Sequence, residues 1–338
     1  MSENFKGKII FSENYKLTIE SIKQINNFVS NKASVIKALT DLETHTDKSD
    51  IYILPNFKNN IKIDSESLKE FKQDPFLASY DESILELNSL EGKVRCTVHC
   101  SIIQNEIEYI PAAFVTLKFY TKSNIICENS NEFADIFITQ EISKKINNEY
   151  ISERKYFLTQ VAPENTLIFI DGPLFSGEST SGNFELVNQL IKINCKPIFF
   201  VKNSESTIIT ERFNFAKGYN SDLHWAFSIL KQGEVSPVFA YKSPDGRGKA
   251  MCFFKIFNNR SPVRIEFPLD SFLEGYYPSN IFTLIYYQYL ANGDTNNYQP
   301  RIIQVAELYA REILKSTNLY QEIEKLGLTN SMNEERGF

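Results

Sequence analysis

The chain has 338 residues, 42% hydrophobic and 23% charged, with a formal net charge of −6. This balance excludes a disordered polypeptide and gives no global electrostatic pull toward nucleic acid, so any DNA contact needs a local basic patch. No apolar run reaches the roughly 18 residues of a membrane span and no signal-peptide core opens the sequence. The five cysteines read as reduced core thiols, which predicts a cytoplasmic protein with no membrane association.

In chain order, Leu17, Ile19, Ile22, Ile25, Phe28, Val29, Val35, Ile36 and Leu39 recur at a spacing that suits one or two amphipathic helices over 14–42. Residues 43–90 are polar and mixed, contain Pro55 and Pro75, and read as a loop-rich connector. From 93 the texture changes. Residues 93–103 and 109–120 read as two long strands around the polar turn Gln104-Asn105-Glu106, a hairpin signal. Cys96 and Cys100 lack a second Cys/His couple at zinc-finger spacing. Residues 132–160 read as a helix, 166–171 as a buried strand, 183–193 as a helix and 196–202 as another buried strand. A helix follows at 222–230, with Trp225 in the core and Asp222 as an N-cap after Ser221. Three strands at 236–241, 250–257 and 263–267 precede closing helices at 281–290 and 302–326. The domain organisation expected is a helical extension and connector over 1–90, a principal domain over 91–328 and a tail over 329–338.

The strand at 166–171 is stopped abruptly by Asp171-Gly172-Pro173, so the Asp171 carboxylate is presented at the strand's C-terminal edge. In open α/β sheets that edge is where ligands and catalytic groups sit. A hairpin, then helix–strand alternation, then terminal helices predicts an α/β fold with a mixed sheet covered on both faces. Among such folds, the ribonuclease H-like one brings carboxylates together on neighbouring strands and a closing helix for two-metal phosphodiester chemistry.

Four segments carry a family resemblance. YNSDLHWAFSILKQGEVSPVFAY at 219–241 resembles the NurA pattern in which an Asp-led helix runs into a Gly-Glu-Arg-Ser-like turn. FFKIFNNRSPVRIEFP at 253–268 resembles the NurA strand pair ending in Arg-x-Glu-x-Pro. Asp171-Gly172-Pro173-Leu174 resembles the second Asp-Gly motif, and the segment Phe200-Val201-Lys202-Asn203-Ser204 its Lys-containing strand. The series runs in order over roughly residues 90–320. The resemblance implies a ribonuclease H-like, Mn²⁺- (or Mg²⁺-) dependent DNA nuclease. It also implies a homodimer that works with a HerA-like hexameric ATPase in DNA-end processing or anti-phage defence.

The departures from the family pattern bear on the site. With the first Asp-Gly-Ser motif set against residues 94–101, His99 stands where the family has Asp. Gln299-Pro300 and Ala306-Glu307 put Gln299 in place of Tyr and Glu307 in place of His. Glu153, rather than Glu149, matches the family Glu. The resemblance thus implies a metal and catalytic set of His99, Glu153, Asp171 and Glu307, with Lys202 as a phosphate contact. Read from the residues alone, His99 fits a packed strand histidine equally well. Glu307 could pair with Arg311 at (i, i+4), and Glu153 could be a surface charge. Two functions follow: a nuclease with an exchanged ligand set, or a catalytically silent subunit that binds and regulates the ATPase. Both require His99 and Asp171 at one sheet edge if the register holds. The cluster Tyr276, Tyr277, Tyr286, Tyr287 and Tyr289, together with the N-terminal helices, is the expected contact surface.

Overall fold

A computed structural model of the chain describes residues 51–54, 77–105, 108–124, 135–293 and 298–319, with 18, 19, 21 and 321. Most of the amphipathic helices expected over 14–42 and the tail at 329–338 lie outside these residues.

The described strands form one mixed sheet. They are β1 (Ile51–Ile53), β2 (Leu77–Asn88), β3 (Lys93–Asn105), β4 (Glu108–Thr121), β5 (Ile136–Ile138), β6 (Leu167–Asp171), β7 (Lys196–Val201), β8 (Glu234–Val235), β9 (Phe239–Lys242), β10 (Gly248–Lys255) and β11 (Val263–Pro268). Their spatial order is β1-β9-β10-β11-β7-β6-β2-β3-β4-β5, with β8 beside β10. The centre is a long antiparallel meander, β2-β3-β4, to which β6 and then β7 add in parallel. Parallel pairing requires crossover connections, which put helices on the sheet faces.

The helices are α1 (Ile142–Val161), α2 (Thr180–Lys192), α3 (Ile208–Arg212), α4 (Asp222–Ile229), α5 (Leu269–Leu273), α6 (Ile281–Asn292) and α7 (Arg301–Ser316). Strand alternation sorts the core into two layers. Val98, Cys100, Ile102, Phe169, Ile198, Phe200, Cys252 and Phe267 face α6 and α7, where Ile285, Ile302, Ile303, Ala306 and Ala310 meet them. On α7 these apolar residues fall on one stripe, so one face covers β2 and β3 while the other is solvated. On the opposite face Ala78, Tyr80, Ile168, Ile170 and Phe199 pack under α1 and α2. Farther along that face Trp225 of α4 packs on Phe239 and Phe253, as its apolar surroundings in the sequence suggest.

Three sequence expectations are corrected. Residues 43–90 are not a plain connector. They supply β1 and the central strand β2, so a boundary at 91 falls inside the sheet. β2 escapes a hydrophobic-run reading because its second half, Asp81-Glu82-Ser83-Ile84-Leu85-Glu86, mixes polar residues and partly exposed ones. The stretch 132–160 holds the short strand β5 before α1 begins at Ile142. Asp222 does not cap its own helix. Ser221 does, accepting from the His224 amide at 3.2 Å, while Asp222 accepts from Ile209 and Thr210 at the start of α3.

Candidate functional site

The parallel pairing of β2 and β6 stops where β6 ends, part-way along β2. Tyr80 of β2 is paired with Ile170 of β6, so the next residues, Asp81 and Asp171, lie side by side. Both alternate onto the α7 face: Ser79, two residues before Asp81, donates to the Ile302 carbonyl of α7 at 2.8 Å, and Phe169 belongs to the α6–α7 core. Lys202, just past the end of β7, lies on the same face, and its Nζ is 3.2 Å from Asp171 Oδ2. Burial pushes the Asp81 carboxyl well above the usual carboxylate range, and the charges of Asp171 and Glu82 add to the push. Burial also raises Asp171; Lys202 opposes this rise, and the charges of Glu82 and Glu307 reinforce it. Asn203, Ser204 and Glu205 follow Lys202 into a shallow depression of about 630 Å³ that His224 and Phe227 also line.

The expected four-residue set is divided by the sheet. Asp171 and Glu307 belong to the α7 side. His99 and Glu153 belong to the α1 side, so the expected adjacency of His99 and Asp171 is corrected. The cause is the period-two alternation of β3: Val98 and Cys100 pack in the α6–α7 core, and His99 between them points the other way. His99 is fully buried among Tyr80, Phe114, Tyr150 and Phe157. Its Nδ1 shares a hydrogen bond with the Tyr80 hydroxyl at 2.7 Å, and its Nε2 lies 3.2 Å from Glu153. Glu153 also pairs with Lys118 at 2.8 Å. Although burial raises the Glu153 carboxyl, the bonds from His99 and Lys118 outweigh it and hold the group below its usual range. Glu307 accepts from the Gln299 side chain and pairs with Arg311, the (i, i+4) partner read from the sequence.

Sequence reading missed Asp81, Glu82 and Arg154. The available signal was Asp81-Glu82-Ser83 directly after the run Leu77-Ala78-Ser79-Tyr80, an Asp-x-Ser following an apolar stretch. Arg154 lies one residue beyond the expected Glu153, is buried, and sits with its guanidinium 5.0 Å from the Tyr80 ring centroid.

Among the described residues, no three His, Cys, Asp or Glu side chains converge closely enough to hold a metal ion. Asp171 faces the Lys202 ammonium group, and Glu153 and Glu307 are each held by cationic side chains. The donor set does not fit a resident divalent cation.

The meander with two parallel strands added, helices on both faces and an acidic pair where β6 ends beside β2 define a ribonuclease H-like α/β protein. The family model of the NurA domain matches residues 101–281, more than half of the sequence, and the chain belongs to the NurA domain family. It is similar in structure to the NurA nuclease from Sulfolobus solfataricus, at 13% identity, over 93% of this chain and 99% of that one, with a TM-score of 0.51. More distant similarity links it to a NurA structure with manganese (7% identity; 89% and 96% covered; TM-score 0.45) and to an endonuclease V from Bacillus subtilis (10%; 80% and 98%; 0.37). A sequence comparison with curated proteins gives no match. No described helix is long and apolar enough to cross a membrane.

Proposed function

We propose that this NurA-family chain is a DNA-handling subunit that is silent as a nuclease on its own. It works as a cytoplasmic homodimer with a HerA-like hexameric DNA translocase, in DNA-end processing or anti-phage defence. The observation that carries the reading is the state of the acidic edge. Asp81 and Asp171 are side by side, as a phosphodiester site needs, but an ammonium group rather than further carboxylates closes on Asp171. Two-metal hydrolysis needs oxygen ligands shared between two cations a few ångströms apart, and Glu153 and Glu307 are committed to other partners. Family membership supports contact with nucleic acid, and Lys202 is the residue best placed to meet a phosphate.

The test is a cleavage assay on linear DNA with Mn²⁺, with and without the cognate ATPase, paired with affinity co-purification of the two proteins. The expected result is no cleavage by the isolated chain and recovery of the ATPase with it. Robust Mn²⁺-dependent cleavage by the isolated protein, lost in Asp171→Ala, would instead establish the hydrolytic reading.

A further inference from the structure

The acidic edge sets Asp81 beside Asp171, and Glu82 follows Asp81 on β2. Glu82 is on the α1 side, where it accepts from the Tyr150 hydroxyl at 2.9 Å. One cation pairs with this edge directly, and a second is buried nearby. Lys202 contacts Asp171 from the open side, with 29% of its side chain exposed. Arg154 lies over the Tyr80 ring on the α1 side and is 6% exposed. Its Nη1 donates to Asn183 Oδ1 at 3.3 Å, while Nε and Nη2 have no hydrogen-bond partner. A buried guanidinium with open donors is costly unless opposing charge offsets it. Burial disfavours the charged guanidinium; Tyr150 and Tyr80 oppose that most, and Glu82 and Asp171 add to them. Asn183 in turn holds the loop after β6 through the carbonyls of Pro173 and Leu174, so Arg154 is braced against the segment that carries Asp171.

We infer that Lys202 is the built-in counter-charge of this edge and stands in for the divalent cation that neighbouring carboxylates otherwise recruit. The inference deepens the silent-subunit reading by naming what balances the site. The edge is held by protein charge, so its order does not depend on a metal. Lys202 is a removable counter-charge, because its side chain is partly solvated.

Thermal unfolding of the full-length protein, with millimolar Mn²⁺ or with EDTA, tests this. The wild type is expected to unfold at the same temperature in both. Lys202→Met should unfold several degrees lower in EDTA and recover most of that loss in Mn²⁺, because the freed carboxylates now recruit the ion. Lys202→Met combined with Asp171→Asn should lose the Mn²⁺ response. A lysine that merely packs would give Lys202→Met the same loss in both conditions, which overturns the inference. Titration of the wild type with Mn²⁺, followed by electron paramagnetic resonance, is independent of whether the variant folds. Stoichiometric micromolar binding overturns the inference, and no binding below millimolar supports it. Metal binding without DNA cleavage would sink this inference alone, whereas cleavage by the isolated chain would sink the silent-subunit reading.

Discussion

Asp81 and Asp171 confront each other because parallel pairing in register leaves no freedom where β6 ends beside β2. Their carboxyls are raised mainly by burial, so the folded chain holds protons there more tightly than the unfolded one. The associated stability is therefore fully present below the ordinary aspartate value of about 4 and is lost as pH rises through the raised folded values. Asp81→Asn is expected to stabilise the protein at pH 7 by about 0.5–2 kcal/mol, the usual gain from relieving a strained functional site. The gain should vanish in acid, which denaturant melts at several pH values will show. Lys255 tests the opposite sign. Burial lowers its ammonium to about 8, and the group sits over the Phe227 ring. A depressed lysine contributes stability that is present above the unfolded value near 10.4 and lost as pH falls through about 8. Lys255→Met should therefore gain on the order of 1–2 kcal/mol at pH 7. That advantage should shrink between pH 8 and 10. Both residues expose the limit of reading a strand from sequence. The apolar run around His99 marks a strand, but nothing within one strand says which face meets which helix. Asp171 was legible because Gly172 and Pro173 punctuate a wholly apolar run; Asp81 was not, because no such stop follows it.

Between elements, the turn after β6 is set by a buried charge cluster. Glu266 of β11 accepts from the Leu174 amide at 2.8 Å and pairs with Lys249 of β10 and with Arg264. Arg264 also donates to Ser204, just beyond Lys202. One fully buried carboxylate thus ties the loop behind Asp171 to the loop behind Lys202. Glu266→Gln keeps an acceptor for Leu174 but leaves two buried cations unanswered. It should cost about 3–5 kcal/mol in urea unfolding. Lys249→Met removes the surplus cation and should cost clearly less; equal losses would refute the charge account. The Arg-x-Glu-x-Pro element was visible in the sequence as a family resemblance. Its partners were not, because they come from strands and loops distant in sequence. The apolar strands β6, β7, β10 and β11 were legible as runs, whereas β1 has three residues and β2 is half solvated.

At the scale of the whole chain, the tyrosine cluster does not form one surface. Tyr277 donates to the Pro197 carbonyl, Tyr289 is buried and Tyr286 packs against the core; Tyr287 is the exposed member. If the chain dimerises as proposed, Tyr287→Ala should leave the dimer mass unchanged in light scattering. A shift to monomer would restore this helix as the contact.

The hydrogen bond from Ser79 to the Ile302 carbonyl spans 223 residues of sequence. At about 5–20 residues per second, synthesis needs on the order of ten to forty seconds to supply the second partner after the first. For that interval the central strand has emerged without the helix that shields its apolar side. The nascent protein therefore carries a long, sticky meander before its cover exists, and late closure by α7 leaves that apolar side open to aggregation during translation. The same delay keeps Asp81 from meeting the residues of α7 until nearly the whole described fold has been made.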